Sequence, residues 1–399
     1  MDIHRFSYKI QNIELTLDVN YTVKDNTPVY FIMVNDYIER KFPIIQFSLQ
    51  LDISMIQKIY KYKDTAKIKL EIIEQEYKDD ELISTRRFFQ HTFSIIPIRE
   101  ASAYTLVNDN GLTSNVDESV KLQAFEMYLI DMDIINIFTK EISTIFKNCS
   151  RPAALECLFK MRDIPAKTVI ATPPENLGVV DQIVLPIGDL IDNIDLLNKS
   201  YGLYTSYPII YYDLSYLYCI DRITPNIIIP SVVDYDTVTF ILKNSTVAEA
   251  KIPGGYNDPK SKTHYINLQA TPTIIDNSTQ INNTQFATVQ SVDADGNVSK
   301  VTLDPNSTKL NYIYKHNELT MEQEVNEKYR TDTTISVVAT ECPVTIFRPY
   351  KQYLFNADTE YSSLKLQNKT FRLSSLVFTL HKNGSNEFIH SVQASLYKI

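Results

Sequence analysis

The chain has 399 residues, of which 44% are hydrophobic and 22% are charged, fractions that are typical of folded globular proteins and exclude bulk disorder. Its formal charge of −9 repels nucleic-acid phosphates and anionic lipids, so we expect neither specific DNA binding nor stable membrane binding. With 8 glycines and neither G-x-G-x-x-G nor G-x-x-x-x-G-K-[ST], the sequence lacks the phosphate loops of nucleotide-binding enzymes.

The first third of the chain has the two-residue alternation of β-strands. Ile13, Leu15 and Leu17 alternate with Glu14 and Thr16, for example. Several such segments at close spacing predict a small antiparallel β-barrel over residues 1–132. The predicted strands are Phe6–Val19, Val29–Val34, Ile44–Leu51, Ala66–Gln75, Arg87–Ile98 and Lys121–Ile130.

The period changes to three and four residues after Ile134, which predicts a helix or a helix-to-strand transition up to Phe146. A better helix is predicted over Arg151–Met161, because Ser150 can cap it and Pro152 occupies its first turn.

A further helix is predicted to start at Pro186 and to stop at Tyr201-Gly202, with Gly202 at positive φ just past the helix end. Tyr207–Asp213 and Leu217–Ile220 then predict a hairpin. Residues 133–225 are therefore interpreted as a mixed α/β bridging segment.

The remainder, residues 226–399, is predicted to form a second β-barrel with long polar loops, so the fold class is mainly β with an α/β insert. Ile252–Lys262 is predicted as a loop, and Met321–Thr331 as a short helix or a solvated loop. The predicted strands are Thr237–Leu242, Gln285–Ser291, Val298–Leu303, Ile335–Ala339, Thr345–Phe347, Phe371–His381 and Glu387–Leu396. Asn383-Gly384 is a strong two-residue turn between the last two.

No metal or cofactor site is predicted. The six histidines have no H-x-x-H spacing. Asp293–Asn297 has its glycine at the wrong position for a calcium loop and is interpreted as a hairpin turn. No two cysteines form a C-x-x-C pair, so they are interpreted as reduced core thiols. These are Cys149, Cys157, Cys219 and Cys342.

Asp189, Asp192 and Asp195 lie three residues apart on a predicted helix. Such a cluster is compatible with acid catalysis or divalent-ion binding, but a solvated helix face opposite the apolar residues explains it better. No nucleophile motif occurs, so no catalytic residue is assigned. A catalytic site built from residues distant in sequence stays open.

Seven tyrosines fall within eighteen residues of the bridging segment. Tyrosine suits permanent interfaces, because its ring is apolar and its tip is polar. Filling an ordinary core is an equally good explanation, and the absence of tryptophan argues against a sugar-binding platform. The seven are Tyr201, Tyr204, Tyr207, Tyr211, Tyr212, Tyr216 and Tyr218.

Several of these stretches together resemble the hub proteins of contractile phage tails. The resemblance covers residues 42–75 and 121–222, with a weaker match at 285–303. The stretches are Phe42–Leu51, Phe125–Asp131, Phe138–Phe146, Thr172–Asn176, Leu185–Tyr204 and Asp213–Tyr218. The polar loops 254–284 and 304–332 match no recognised part of this family, and no stretch of this sequence resembles a lysozyme or spike domain.

The resemblance implies a structural virion protein of the tail baseplate, assembled in the host cytoplasm, with two β-barrels per subunit. Three subunits would then present six barrels to the tail tube ring and threefold symmetry to the central spike. Other baseplate proteins would be neighbours, and DNA would pass through the lumen without specific binding. The structural or interface candidates are Pro173, Pro174, Pro186, Gly188, Tyr201, Gly202, Tyr204, Tyr211 and Tyr212.

Two other functions stay open at this point. A cell-wall hydrolase of the baseplate would need a carboxylate pair in a cleft, about 5–10 Å apart. A peripheral receptor-binding protein would use the tyrosines as its contact surface.

Overall fold

The structure is a computed structural model. It describes residues 4–17, 20–22, 28–98, 123–174, 176–204, 208–222, 237–242, 255–258, 260–268, 270–276, 288–292, 298–302, 333–357, 364–382 and 388–399.

Strands dominate the described residues. They are β1 His4–Thr16, β2 Asn20–Thr22, β3 Pro28–Asp36, β4 Ile44–Leu51, β5 Lys67–Lys78, β6 Glu81–Pro97, β7 Gln123–Asp131, β8 Ile142–Ser150, β9 Val169–Ala171, β10 Val179–Gly188, β11 Pro208–Tyr212, β12 Leu217–Asp221, β13 Thr237–Leu242, β14 Gly255–Asp258, β15 Thr263–Asn267, β16 Thr273–Asp276, β17 Thr288–Val292, β18 Val298–Thr302, β19 Thr333–Thr340, β20 Gln352–Ala357, β21 Phe371–Lys382 and β22 Phe388–Lys398.

Four α-helices lie among the described residues, and each begins at a polar cap. Asp52, Asp131, Ser150 and Asp189 accept hydrogen bonds from backbone N–H groups of the first turn, which would otherwise have no partner. The helices are α1 Ile53–Lys61, α2 Met132–Phe138, α3 Arg151–Met161 and α4 Leu190–Tyr201. Short 3₁₀ turns occupy Ala166–Thr168 and Val344–Ile346.

Fifteen of the described strands form one sheet, in which strands from both ends of the chain are neighbours. The order is β16-β19-β22-β21-β20-β13-β15-β14-β1-β5-β6-β7-β4-β3, with β2 beside β1. β21 also pairs with β3, from Ser375 opposite Asp36 to His381 opposite Tyr30. No closed barrel is seen among these strands. The mainly β fold is therefore confirmed, whereas the division into two barrels is not.

Alternation sets which side of the sheet is buried. In β4, Ile45, Phe47 and Leu49 are at most 1% exposed, and the core continues across the sheet to Phe31 and Phe378. Strands from both ends of the chain therefore share one apolar core.

A second, smaller core lies in the α/β part. β8 and β10 form an antiparallel two-stranded sheet, here called the ribbon. β11, β12 and β9 form a three-stranded sheet, in which β12 and β9 are parallel. Leu158 of α3 and Leu190, Ile194 and Leu197 of α4 are fully buried in this core. The apolar face that the sequence predicted for α4 is thus confirmed.

Some predicted elements differ in the structure. Pro186 does not open a helix but lies in β10, because Ile183 and Leu185 alternate as buried strand residues and Asp189 starts the helix instead. Of the two predictions for the stretch up to Phe146, the helix-to-strand transition is confirmed, since α2 ends at Phe138 and Ile142–Phe146 pairs along β10 as part of β8.

In the last third, Thr345–Phe347 is part of a 3₁₀ turn rather than a strand, and the predicted loop Ile252–Lys262 contains β14. The hairpin of β17 and β18 is present, and so is that of β21 and β22. Their predicted turns, Asp293–Asn297 and Asn383-Gly384, lie outside the described residues, as does Met321–Thr331.

His390 of β22 is a buried histidine with a clear consequence for acid stability. Its Nε2 lies 3.1 Å from the carbonyl oxygen of Cys342, to which it donates, and its ring packs on Tyr8 at 4.8 Å. Burial lowers the pKa of His390 to about 4. The folded protein therefore keeps this imidazole neutral at pH values at which the unfolded chain protonates it.

We expect about 2 kcal/mol of stability to be lost through His390 alone between about pH 7.5 and pH 5, since an unfolded histidine titrates near 6.5. This contribution is present above pH 6.5 and is lost as the pH falls toward 4. His390→Gln keeps an N–H donor but does not titrate. Urea unfolding at the two pH values should show a smaller pH dependence for this variant than for the wild type, and equal dependence would contradict the assignment.

Candidate functional site

A buried polar junction joins the α/β part to the last third of the chain. Nη1 of Arg348 lies 2.5 Å from Oδ2 of Asp213, and the two side chains are 19% and 3% exposed. Tyr218 donates to the same Oδ2 at 2.5 Å, and the Arg348 guanidinium lies over the Tyr216 ring at 5.6 Å. Burial raises the pKa of Tyr218 well above its usual value, so its hydroxyl remains a donor. We call Asp213, Tyr218 and Arg348 the junction cluster.

A tight hairpin turn positions Asp213. Its Oδ1 accepts hydrogen bonds from the backbone N–H groups of Ser215 and Tyr216, at 3.2 and 2.9 Å. Leu214, which lies between Asp213 and Ser215, has a φ of 73° and is 4% exposed. A leucine rarely adopts a positive φ, so the backbone is strained at this residue. The burial of the Leu214 side chain offsets the strain, and the turn directs Asp213 toward Arg348.

Tyrosines extend the junction toward β3. Tyr211 donates to Oδ1 of Asn35 at 3.0 Å, and the Tyr37 ring lies 4.7 Å from that of Tyr211 and 6.1 Å from that of Tyr218. A small cavity of about 30 Å³, lined in part by Asn35, Tyr37, Asp213 and Arg348, adjoins these side chains. That is room for about two water molecules among polar groups, and too little for a substrate.

The predicted interface tyrosines are mostly core residues. Tyr204 and Tyr211 are fully buried within the subunit, as is Tyr218, while Tyr201 and Tyr212 are half-buried. Tyr204 donates to the carbonyl oxygen of Thr172 at 3.0 Å and so ties the end of α4 to the loop after β9. Core filling therefore explains the buried tyrosines, and Tyr207 lies outside the described residues.

The other interface candidates surround the ends of β9, β10 and α4. Pro173 and Pro186 are exposed, and Pro174 and Gly188 are half-buried. Gly202 follows α4 with φ 72° and ψ 74°, which confirms the positive φ expected at this helix end.

Each of the three spaced aspartates has a partner within or beside α4. Asp189 caps α4, and Nζ of Lys41 bridges Asp189 at 3.1 Å and Asp192 at 2.6 Å. Asp195 pairs with Lys199 one turn along the helix. These ion pairs stabilise the helix.

One set of side chains has the chemistry of metal ligands, and sequence spacing did not indicate it. Donor atoms of His91, Asp131 and Asp133 lie within 4.8 Å of one another. Asp131 already accepts from Nδ1 of His91 at 2.8 Å and from the backbone N–H groups of Asp133 and Ile134. A helix cap that also accepts a hydrogen bond from His91 therefore accounts for this group. All four cysteines lie in described residues and are free thiols.

The ribbon exposes apolar side chains on its outer side. Ile145 of β8 and Val184 of β10 are directly paired and are 55% and 44% exposed, whereas Ile183 and Leu185 point into the small core. Leu177, Val179 and Ile187 of the same region are about 70% exposed. We call the directly paired Ile145 and Val184 the aliphatic patch.

Neither the junction cluster nor the aliphatic patch was predicted from the sequence, and the reasons differ. Asp213 and Arg348 are 135 residues apart, so no spacing links them. The alternation of Ile183, Val184 and Leu185 was a usable signal for a strand with one exposed side, but Pro186 led to a helix prediction. No helix in the described part of the chain is long and apolar enough to cross a membrane.

Comparison with known families gives a match over nearly the whole chain. The model of a family described as Bacteriophage PBS1 gene 109 protein matches residues 2–399. No curated protein sequence matches the chain significantly.

Comparison with solved structures gives matches to proteins described as tail proteins and secretion-system components. The tail protein from Neisseria meningitidis MC58 is 10% identical, with a TM-score of 0.48 and coverage of 98% of this chain and 96% of that one. A Francisella PdpA-VgrG complex gives 12% identity and a TM-score of 0.49, covering 99% of this chain, which spans 53% of that one. The E. coli c3393 protein is described as a type VI secretion component similar to the T4 tail proteins gp27 and gp5. It is 9% identical, with a TM-score of 0.42 and coverage of 97% of this chain and 76% of that one.

Proposed function

The chain belongs to the bacteriophage PBS1 gene 109 protein family, and from this premise we propose that it is a structural protein of the phage tail that forms the trimeric hub of the baseplate. The family match over residues 2–399 is the observation that carries the proposal, because it makes the whole chain a phage protein. The tail-hub resemblance of residues 42–75 and 121–222 supplies the position within the virion.

In this proposal the chain is divided into a barrel-like unit of residues 1–132, a bridging segment of 133–225 and a second barrel-like unit of 226–399. Three subunits place six such units against the tail tube ring and present threefold symmetry to the central spike. Other baseplate proteins surround them, and DNA crosses the lumen. No substrate is involved, and the net charge of −9 favours passage of DNA without attachment.

The junction cluster supports a mechanical role. It ties the bridging segment to the last third of the chain through a buried ion pair, Asp213 to Arg348. A symmetry adaptor must hold its parts in a fixed relation, and buried, fully paired polar groups rigidify such contacts.

An image of the isolated virion, with this chain located by a specific antibody or by its density, tests the proposal. We expect three copies in one ring between the tail tube and the central spike. Six or more copies in the ring, a single copy, or a peripheral position would overturn it. A peptidoglycan zymogram of the purified chain should show no clearing, and clearing would favour a hydrolase instead.

A further inference from the structure

We infer that the cavity beside the junction cluster is a binding site for about two ordered water molecules, held by the Tyr37 hydroxyl and the Asn35 side-chain amide. Three parts of the chain that are distant in sequence line this cavity: the end of β3 and the residue after it, the hairpin turn at Asp213, and the segment that ends at Arg348. The inference does not depend on the hub proposal, because it concerns hydrogen bonds inside one subunit.

Asn35 and Tyr37 bring polar groups to the cavity that the surrounding protein does not satisfy. Both residues line the cavity and are 2% exposed. Oδ1 of Asn35 accepts from the Tyr211 hydroxyl, but in the described part of the chain neither Nδ2 of Asn35 nor the Tyr37 hydroxyl bonds to another residue. Buried polar groups are almost always hydrogen-bonded to protein or to ordered water, so water is the expected partner of both.

The Tyr37 hydroxyl lies near the charged groups of the junction cluster. Burial raises the pKa of Tyr37 and the Asp213 carboxylate raises it further, although Arg348 lowers it. The hydroxyl therefore stays protonated and needs an acceptor. Asp213 is not that acceptor, because its two oxygens already accept four hydrogen bonds, which is the capacity of a carboxylate. A water molecule in the cavity supplies the acceptor instead.

Size and lining both select water as the occupant. A volume of about 30 Å³ holds about two water molecules and excludes an organic ligand. Ordered water needs two to four polar partners, and Ser215, an exposed residue that also lines the cavity, adds a hydroxyl to those of the two buried residues. The remaining lining, which would by itself favour a dry cavity, is apolar and consists of Met33, Phe88, Phe89, Leu214, Val344, Phe347 and Leu376.

A crystal structure of the full-length chain at high resolution tests the inference without any variant. Water density should fill the cavity, with one peak within hydrogen-bond distance of the Tyr37 hydroxyl and another within that distance of Nδ2 of Asn35. Because xenon enters dry apolar cavities, crystals pressurised with xenon should show no xenon at this position. A cavity without water density, or one that takes up xenon, would overturn the inference.

A variant counts the waters in solution. Tyr37→Phe removes the hydroxyl but keeps the ring that packs on Tyr211 at 4.7 Å, so the fold should persist. Oxygen-17 relaxation dispersion should then report about one long-lived water fewer per chain than in the wild type. Tyr128→Phe, at a tyrosine that is 41% exposed and does not line the cavity, should leave the number unchanged. Equal numbers in Tyr37→Phe and the wild type would show that this hydroxyl holds no water.

Discussion

Replacing Asp213 with asparagine should lower the free energy of unfolding by about 3–5 kcal/mol, because it leaves the buried guanidinium of Arg348 without its carboxylate. Asparagine preserves Oδ1, which accepts from the N–H groups of Ser215 and Tyr216, so the hairpin turn should survive. What changes is the atom 2.5 Å from both Arg348 and Tyr218. Urea unfolding followed by circular dichroism at neutral pH measures the loss.

A surface ion pair supplies the control. Asp195 pairs with Lys199 on α4, and the two side chains are 38% and 48% exposed. Asp195→Asn should cost no more than about 0.5 kcal/mol, since solvent screens such pairs. Arg348→Met in the Asp213→Asn background should cost less than the two single losses added together, because the pair acts as one unit. A loss below about 1 kcal/mol for Asp213→Asn would mean that water solvates the guanidinium and that the junction cluster is not closed.

The loss of the Asp213–Arg348 ion pair should affect more than the hairpin, because the junction cluster joins parts of the chain that are distant in sequence. Asp213 lies in the α/β part, whereas Arg348 follows the 3₁₀ turn Val344–Ile346 near the large core. The N–H of Val344 donates to the Tyr8 hydroxyl at 2.7 Å, so the first strand reaches the same region. Three parts of the chain that are distant in sequence thus meet in this region of the fold.

Local signals predicted local structure well. Ser150 followed by Pro152 predicted the start of α3, and Gly202 predicted the end of α4, because caps and stops depend on residues within one turn. α1 was missed, although Asp52 caps it and Ile56 and Ile59 are buried at helical spacing. The signal was present, but the surrounding strand pattern outweighed it.

Pairing between distant strands could not be predicted. β3 and β21 are neighbours although Asp36 and Ser375 are separated by most of the chain, and no period within either strand specifies its partner. The same limit hid the shared sheet and the junction cluster. Alternation indicates that a strand has a buried side, but the fold decides whether the other side is exposed, as at Val184.

Gly202, at the end of α4, is the residue whose substitution should have the next largest effect on the free energy of unfolding. Gly202 has φ 72°, and its N–H closes the helix by donating to the carbonyl oxygen of Asn198 at 2.9 Å. A β-branched residue is strained at this angle, so Gly202→Val should cost about 1–3 kcal/mol, measured by urea unfolding. Oδ1 of Asn198 also accepts from the N–H of Tyr204 at 2.9 Å, so the strain should spread to the buried Tyr204. In the proposed hub, the yield of assembled particles should fall with it.

Two variants separate backbone strain from a general sensitivity of this helix. Gly202→Asn should cost less than Gly202→Val, because asparagine tolerates the left-handed region better than a β-branched residue does. Asp192→Ala should change stability by less than about 0.5 kcal/mol, since its carboxylate is 60% exposed and only pairs with Lys41. If Asp192→Ala and Gly202→Val lowered particle yield equally, strain at the helix end would not be the cause. If Asp192→Ala instead removed an enzymatic activity, the carboxylates of α4 would be a hydrolase site, and the protein would not be a purely structural adaptor.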